Sequence, residues 1–416
     1  MNRCQILLAV MAFLPSGSAF AENWSHWRGP LGNGTADADP PVSWSDTENV
    51  KWKVLIPGRG SGSPVVWENH VFVVSAVPSP EQSQKLQFKL FCFDRQTGTL
   101  TWERTAVEAI PHQETHSTNG FASASPCTDG THVYAHFGSR GLYCYTMDGD
   151  LVWKRDFGDM QTRNGFGEGS SPTLADDLIV VPWDHEGPSF LFALNKLTGE
   201  IVWQADRKDE PTCWATPLIV ESATGKQVIM NGQTCARSYD LQTGKELWRC
   251  GGQTERPAAS AVAADGLVYI GSGFRGSFLG AFRLDGRGDI EGSNSVVWTI
   301  DQDTPDVASP LLSQGRLYFH KGKSGQLSCV DAKSGKSYYM ANRIAGLTNI
   351  YASPLAASGR VYLTDRSGTI VVIEDSENLK IIATNSMNET VDATPAPVDG
   401  ELFIRGERHL FCIANP

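Results

Sequence analysis

The chain has 416 residues, with 46 Asp and Glu against 35 Lys and Arg and a formal net charge of −11. That field opposes nonspecific attraction to nucleic acid and to anionic membrane surfaces, and the length exceeds one closed core, so several domains or a repeat array are expected. No uninterrupted apolar run approaches the roughly eighteen residues of a membrane-spanning helix.

In chain order, Arg3, the apolar run from Ile6 to Leu14 and the small residues of "SAFA" predict an export signal at residues 1–21, cleaved after Ala21. The expected location is periplasmic or extracellular, in soluble form, because Cys4 lies too early to become a lipidated first residue. Residues 22–49 carry Trp24, Trp27 and Trp44 among glycines and prolines. They predict a strap packed along the following domain, with a mobile section around residues 32–41.

From residue 50 onward a unit recurs: Ser or Thr, Pro, a short gap, a turn and an apolar strand. It starts at Ser63, Ser125, Ser171, Thr216, Ser260, Ser309, Ser353 and Thr394, spaced by 41 to 49 residues except for a first step of 62. Several units continue with a second half, as in "LFCFDRQTGTLTW" and "LFALNKLTGEIVW". Alternating apolar positions and Asp/Asn-x-x-Thr-Gly turns mark strands and hairpins. Eight such units of four strands predict an all-β, eight-bladed propeller of antiparallel blades over residues 50–416. The last unit stops at "HLFCIAN" without a fourth strand, and "NVKWKV" stands unpartnered before the first unit. The N-terminal strand is therefore expected to complete blade eight, which removes an open sheet edge.

The signatures Asp94-x-x-Thr97-Gly98-x-x-x-Trp102, Asn195-x-x-Thr198-Gly199-x-x-x-Trp203 and Asp240-x-x-Thr243-Gly244-x-x-x-Trp248 resemble the quinoprotein-like, or PQQ-like, propeller superfamily. Its members include quinoprotein alcohol dehydrogenases and the propeller lipoprotein of outer-membrane protein assembly. The resemblance covers roughly residues 50 to 414 and implies that Trp52, Trp102, Trp153, Trp203, Trp248 and Trp298 dock between blades. It specifies fold more than activity.

With strands labelled A to D outward from the axis, alternation of direction puts the D-to-A and B-to-C connections on one face. The longest loops fall there, including "HQETHSTNGFASASP", so that face is the expected functional one. Candidate ligand-binding residues on it are Arg59, Asn119, Arg163, Asn164, Glu168, Trp183, Arg237, Arg275, Lys321, Arg366 and Arg405. The arginines suit carboxylates or acidic sugars and the aromatics suit stacking. Asn119 and Asn164 sit in similar turns and are also expected to be scaffold. His116, Asp184 and His185 form a candidate transition-metal set drawn from two blades.

Cys92, Cys144, Cys329 and Cys412 occupy equivalent strand C positions and read as packing residues; Cys213 and Cys235 are candidates for a disulfide. The leading expectation is a noncatalytic propeller binding a protein, peptide or glycan ligand, of unassigned oligomeric state. The alternative that the resemblance implies is an oxidoreductase using PQQ and calcium, although no two cysteines are adjacent here as they are in that family's vicinal disulfide.

Overall fold

A computed structural model describes residues 23–416; the expected export signal lies outside the described residues. The repeats form eight sheets. Blade 1 carries strands A to D at Val65–Trp67, His70–Pro78, Leu86–Asp94 and Leu100–Ala109. Blades 2 to 7 repeat that order behind inner strands at Cys127–Thr128, Thr173–Ala175, Leu218–Ser222, Val262–Ala264, Leu311–Ser313 and Leu355–Ala357. Blade 8 supplies only Ala396–Val398, Glu401–Arg405 and His409–Ala414, and Val50–Leu55 joins it as the outer strand with Trp52 opposite Cys412 and Lys53 opposite Phe411. The ring closes through the N-terminal strand.

Two girdles hold the blades together, and both are built from the repeated motif. Near the axis, the hydroxyl that begins one blade accepts the backbone N–H of the corresponding residue in the preceding blade, from Ser63 onto Ser125 through to Ser353 onto Thr394, at 2.8 to 3.1 Å. Each such neutral bond contributes about 1 kcal/mol net, and leaving its buried partners unsatisfied would cost more. Further out, the indole N–H of Trp52, Trp102, Trp153, Trp203 and Trp298 donates to a carbonyl of the next blade at 2.8 to 2.9 Å. The turn glycine must be glycine. Gly98 has φ +71°, and a Cβ there would lie 2.7 Å from the Trp52 ring.

Trp248 breaks this pattern. It is fully buried, but its indole N–H has no acceptor. Blade 5 replaces the usual turn with a longer connection, part of which, Gly288–Asp289, adds a parallel fifth strand to blade 4. Strand C thiols at Cys92, Cys144, Cys329 and Cys412 are fully buried, as are their counterparts Ala193 and Ser238. Small side chains fit there because sheets of adjacent blades pack closely. Cys213 and Cys235 are free thiols in this structure, contrary to the expected bridge, and the Cys213 Sγ lies 3.5 Å from the Asn231 carbonyl.

The strap does more than lie along the disc. Trp24 exchanges two backbone bonds with Val66 of blade 1, and Ser25 accepts from Thr128 of blade 2. Arg28, fully buried, then donates to the Pro310 carbonyl of blade 6, and Thr35–Ala36 pairs in parallel with the inner strand of blade 7. Residues 24–36 therefore cross the central channel as a plug. The section expected to be mobile is instead tied down, with Gly34 accepting from Ala356, Asp39 donating to Asp399, and the Pro40 carbonyl accepting from Tyr362.

Candidate functional site

On the face of the D-to-A and B-to-C connections the channel opens into a funnel of ≈ 410 Å³. Its wall has a simple register. The residues two positions before each ring hydroxyl, namely Ser61, Ser123, Gly169, Trp214, Ala258, Val307, Tyr351 and Asp392, all line it. Extended chain alternates sides every residue, so when the hydroxyl locks the blade, its second predecessor turns to the axis. The positions in blades 1, 2, 3 and 5 are small, while Trp214 in blade 4 and Val307, Tyr351 and Asp392 in blades 6 to 8 make the rest of the wall bulky or charged. Trp27 of the plug also lines the funnel, and a second cavity of ≈ 320 Å³ lies on its far side.

The rim adds rings and cations. Phe166 lies 5.3 Å from His116 edge-on and 6.4 Å from Trp214. Arg256 stacks 3.4 Å above the Phe274 ring and pairs with Asp306 at 3.2 Å. Lys323 lies 5.2 Å from the Tyr351 ring. The long link into blade 2 reaches over the mouth, where the Tyr351 hydroxyl donates to Thr118 at 3.3 Å. Asp392, at the wall, lies 3.0 Å from Arg366. Burial pushes its carboxyl above the ordinary value, against the lowering fields of Arg366 and Arg59.

Several expected residues have other work. Asn119 donates to the Phe166 and Glu168 carbonyls and accepts from Gly120 and Ser123, which fixes the turn while leaving it on the funnel wall. Asn164 holds a left-handed turn at φ 52°. Glu168 is held by the backbone N–H and hydroxyl of Ser139, and burial raises its pKa despite those bonds. Trp183 is 3 % exposed and packs 5.3 Å from Phe157 between blades 2 and 3, away from the mouth. Arg237 is buried against Glu210. Arg163 and Arg275 both approach Glu255, and Lys321 pairs with Asp303. Arg59, Arg366 and Arg405 converge on a small chamber beside the funnel.

The candidate metal residues are not brought together. Asp184 forms a two-pronged buried pair with Arg207 at 2.8 Å. The His185 ring nitrogens meet Gln161 N–H and the Pro188 carbonyl, and His116 Nδ1 meets the Thr118 hydroxyl. Among the described residues no three His, Cys, Asp or Glu side chains form a cluster able to hold a metal ion. His112, in the same loop as His116, is pinned to the Met160 carbonyl at 2.7 Å.

Trp27, Arg256, Phe274, Lys323 and Tyr351 line the funnel without being candidates in the sequence. The register of two residues before the hydroxyl would have found Tyr351, and it singles out Trp214 in the same way. Trp27 could not be found so, because it reaches the funnel only through the plug.

Known proteins give a consistent picture. The family described as outer membrane protein assembly factor BamB matches residues 87–339 and 235–414. The crystal structure of BamB from Moraxella catarrhalis superposes with a TM-score of 0.59 at 12 % identity, over 88 % of this chain and 98 % of that one. A europium-containing methanol dehydrogenase gives 0.64 at 10 % identity, over 95 % and 98 %. Quinohemoprotein alcohol dehydrogenase from Comamonas testosteroni gives 0.66 at 11 %, over 94 % and 80 %. No curated protein matches the sequence. At these identities the likeness to solved structures establishes the fold alone.

Proposed function

The chain belongs to the family described as outer membrane protein assembly factor BamB, and with that propeller as premise we propose that its funnel binds a compact, flat, multiply anionic aromatic molecule of the PQQ class. The observation that carries this reading is the lining: Trp27, Trp214, Phe274 and Tyr351 beside Arg256 and Lys323, in a chain of net charge −11. Ring faces provide stacking surfaces and the cations attract carboxylates. The funnel volume lies in the range of small-molecule pockets, which favours such a ligand over a folded protein partner.

The cation of quinoprotein chemistry does not fit equally well. Among the described residues Asp392 is the only carboxylate on the funnel wall and it faces Arg366, whereas calcium takes about six to eight oxygen ligands. The proposal is therefore binding of the flat anion, with no reaction step derived from a metal.

Titration with PQQ, followed by tryptophan fluorescence and quinone absorbance, tests the reading. Saturable one-to-one binding that weakens about tenfold or more in Trp214→Ala is expected. Absence of binding, or binding indifferent to Trp214 and Arg256, overturns it and returns a peptide or glycan ligand to first place. Dye reduction with an alcohol in the presence of PQQ and calcium or a lanthanide would establish the oxidoreductase alternative.

A further inference from the structure

Among the described residues five arginines are buried: Arg28, Arg95, Arg207, Arg237 and Arg405. Arg95 pairs with Glu401 and Asp399, Arg207 with Asp184, and Arg237 with Glu210. Arg28 donates from Nη2 to the Asn33 and Pro310 carbonyls, with its Nε and Nη1 left unpartnered. Arg405 is different. It is 1 % exposed, and its Nε, Nη1 and Nη2 all lack a hydrogen-bond partner.

Arg405 ends strand B of blade 8 and lines a chamber of ≈ 20 Å³ at the junction of blades 7, 8 and 1. Arg59 and Arg366 line the same chamber, with Asp392 and the exposed Glu407. Arg59 donates one bond, to the Ser117 carbonyl at 3.3 Å, and Asp392 faces Arg366. The carboxylate whose field acts on Arg405 is that of Glu389, which accepts instead from the backbone N–H groups of Arg408 and His409 and lies 2.7 Å from His409 Nδ1. Burial lowers the Arg405 guanidinium only to about 10, so it stays charged at neutral pH. A buried cation with five N–H donors and no acceptor is among the costliest arrangements a fold can keep.

We propose that this chamber is a site for a single carboxylate-sized anion, seated on the planar fork of Arg405 and flanked by Arg59 and Arg366. The chamber as it stands has room for about one water-sized group, so seating both carboxylate oxygens in the bidentate preference of a guanidinium requires the exposed side chains of Arg59 and Glu407 to move aside. It shares Ser61, Asn119 and Asp392 with the funnel wall. The anion therefore has two sources, a free monocarboxylate or the carboxylate arm of a ligand whose body lies in the funnel. The site stands on Arg405 and not on the aromatic lining, so it is independent of the reading of the funnel.

Thermal unfolding of the full chain is followed in sodium acetate, with ionic strength held constant by a bulky morpholine sulfonate that cannot enter. Acetate at a hundredfold excess over its Kd is expected to raise Tm by about 3 °C, and Arg405→Met is expected to abolish the rise. If Arg405→Met does not fold, Arg366→Gln and Arg59→Gln serve instead, each raising the half-effective acetate concentration about tenfold. Equal melting in acetate and sulfonate, an acetate response that survives these substitutions, or a response to chloride alone overturns the proposal. Quinoline-2-carboxylate separates the sources, since quenching of tryptophan fluorescence that acetate competes away identifies an arm of a funnel ligand, and a Tm rise without quenching identifies a free anion. Failure of PQQ to bind leaves the acetate result standing, so the two readings fail separately.

Discussion

The two ends of the central channel are built on opposite terms. At the end of the A-to-B and C-to-D turns the strap fills the opening and most tryptophan clasps close on turn glycines with their N–H groups satisfied. At the other end more of the unpartnered buried atoms are found, among them all three nitrogens of Arg405 and Nε of Arg256 and Arg366, although the plug keeps its own in Trp24 Nε1 and in Nε and Nη1 of Arg28. Natural folds leave few such groups. The difference between the ends is one of access: at the closed end such atoms are sealed under the strap, while at the open end they border the funnel and its side chamber.

Substitutions at the closed end should act on stability first. Trp24→Ala is expected to cost about 3–5 kcal/mol in denaturant unfolding, as for a fully buried indole; a loss under about 1 kcal/mol would mean that the plug is dispensable. At the open end the corresponding test is pH. Burial lowers His136 and His320 to about 4, from the usual imidazole value near 6.5. Between those values the unfolded chain binds protons that the folded chain refuses, so stability is full above about pH 6.5 and falls as pH drops toward 4. Each histidine accounts for about 3 kcal/mol of that fall. The double variant His136→Asn/His320→Asn should give a visibly flatter profile between pH 7 and 4.5.

Gly98→Ala sharpens the comparison within the closed face. With Trp52 2.7 Å from the new Cβ, it is expected to cost about 2–3 kcal/mol. Gly266→Ala has a similar φ of +77° but open space around it, so only backbone strain of about 1 kcal/mol applies. Equal losses would show that the clasp contributes nothing beyond the turn. Trp214→Ala removes a half-buried ring and its N–H bond to the Gly167 carbonyl at 2.7 Å, so about 1 kcal/mol is expected from that bond, and its funnel binding is read on protein whose melting shows it folded.

The fold was legible because its signal is local and repeated. Each Ser/Thr-Pro pair marks a blade, and the missing strand after Phe411 finds its partner in the one around Trp52. The mouth was legible only in part. Trp183 sits at the end of a strand whose alternation turns it inward onto Phe157, and Asp184 is held by Arg207, 23 residues away. Neither partnership has a local mark. Arg405 reads as an ordinary loop-side arginine until blades 7, 8 and 1 converge on it.

The threaded strap also orders events in time. An early strand of the ring finds its partner in a late one, since Val50–Leu55 pairs with His409–Ala414, and the plug has a channel to enter only once the blades surround it. Contacts of such long sequence separation form slowly. Until His409–Ala414 is in place, Val50–Leu55 and Glu401–Arg405 each keep a bare edge open to pairing with another chain.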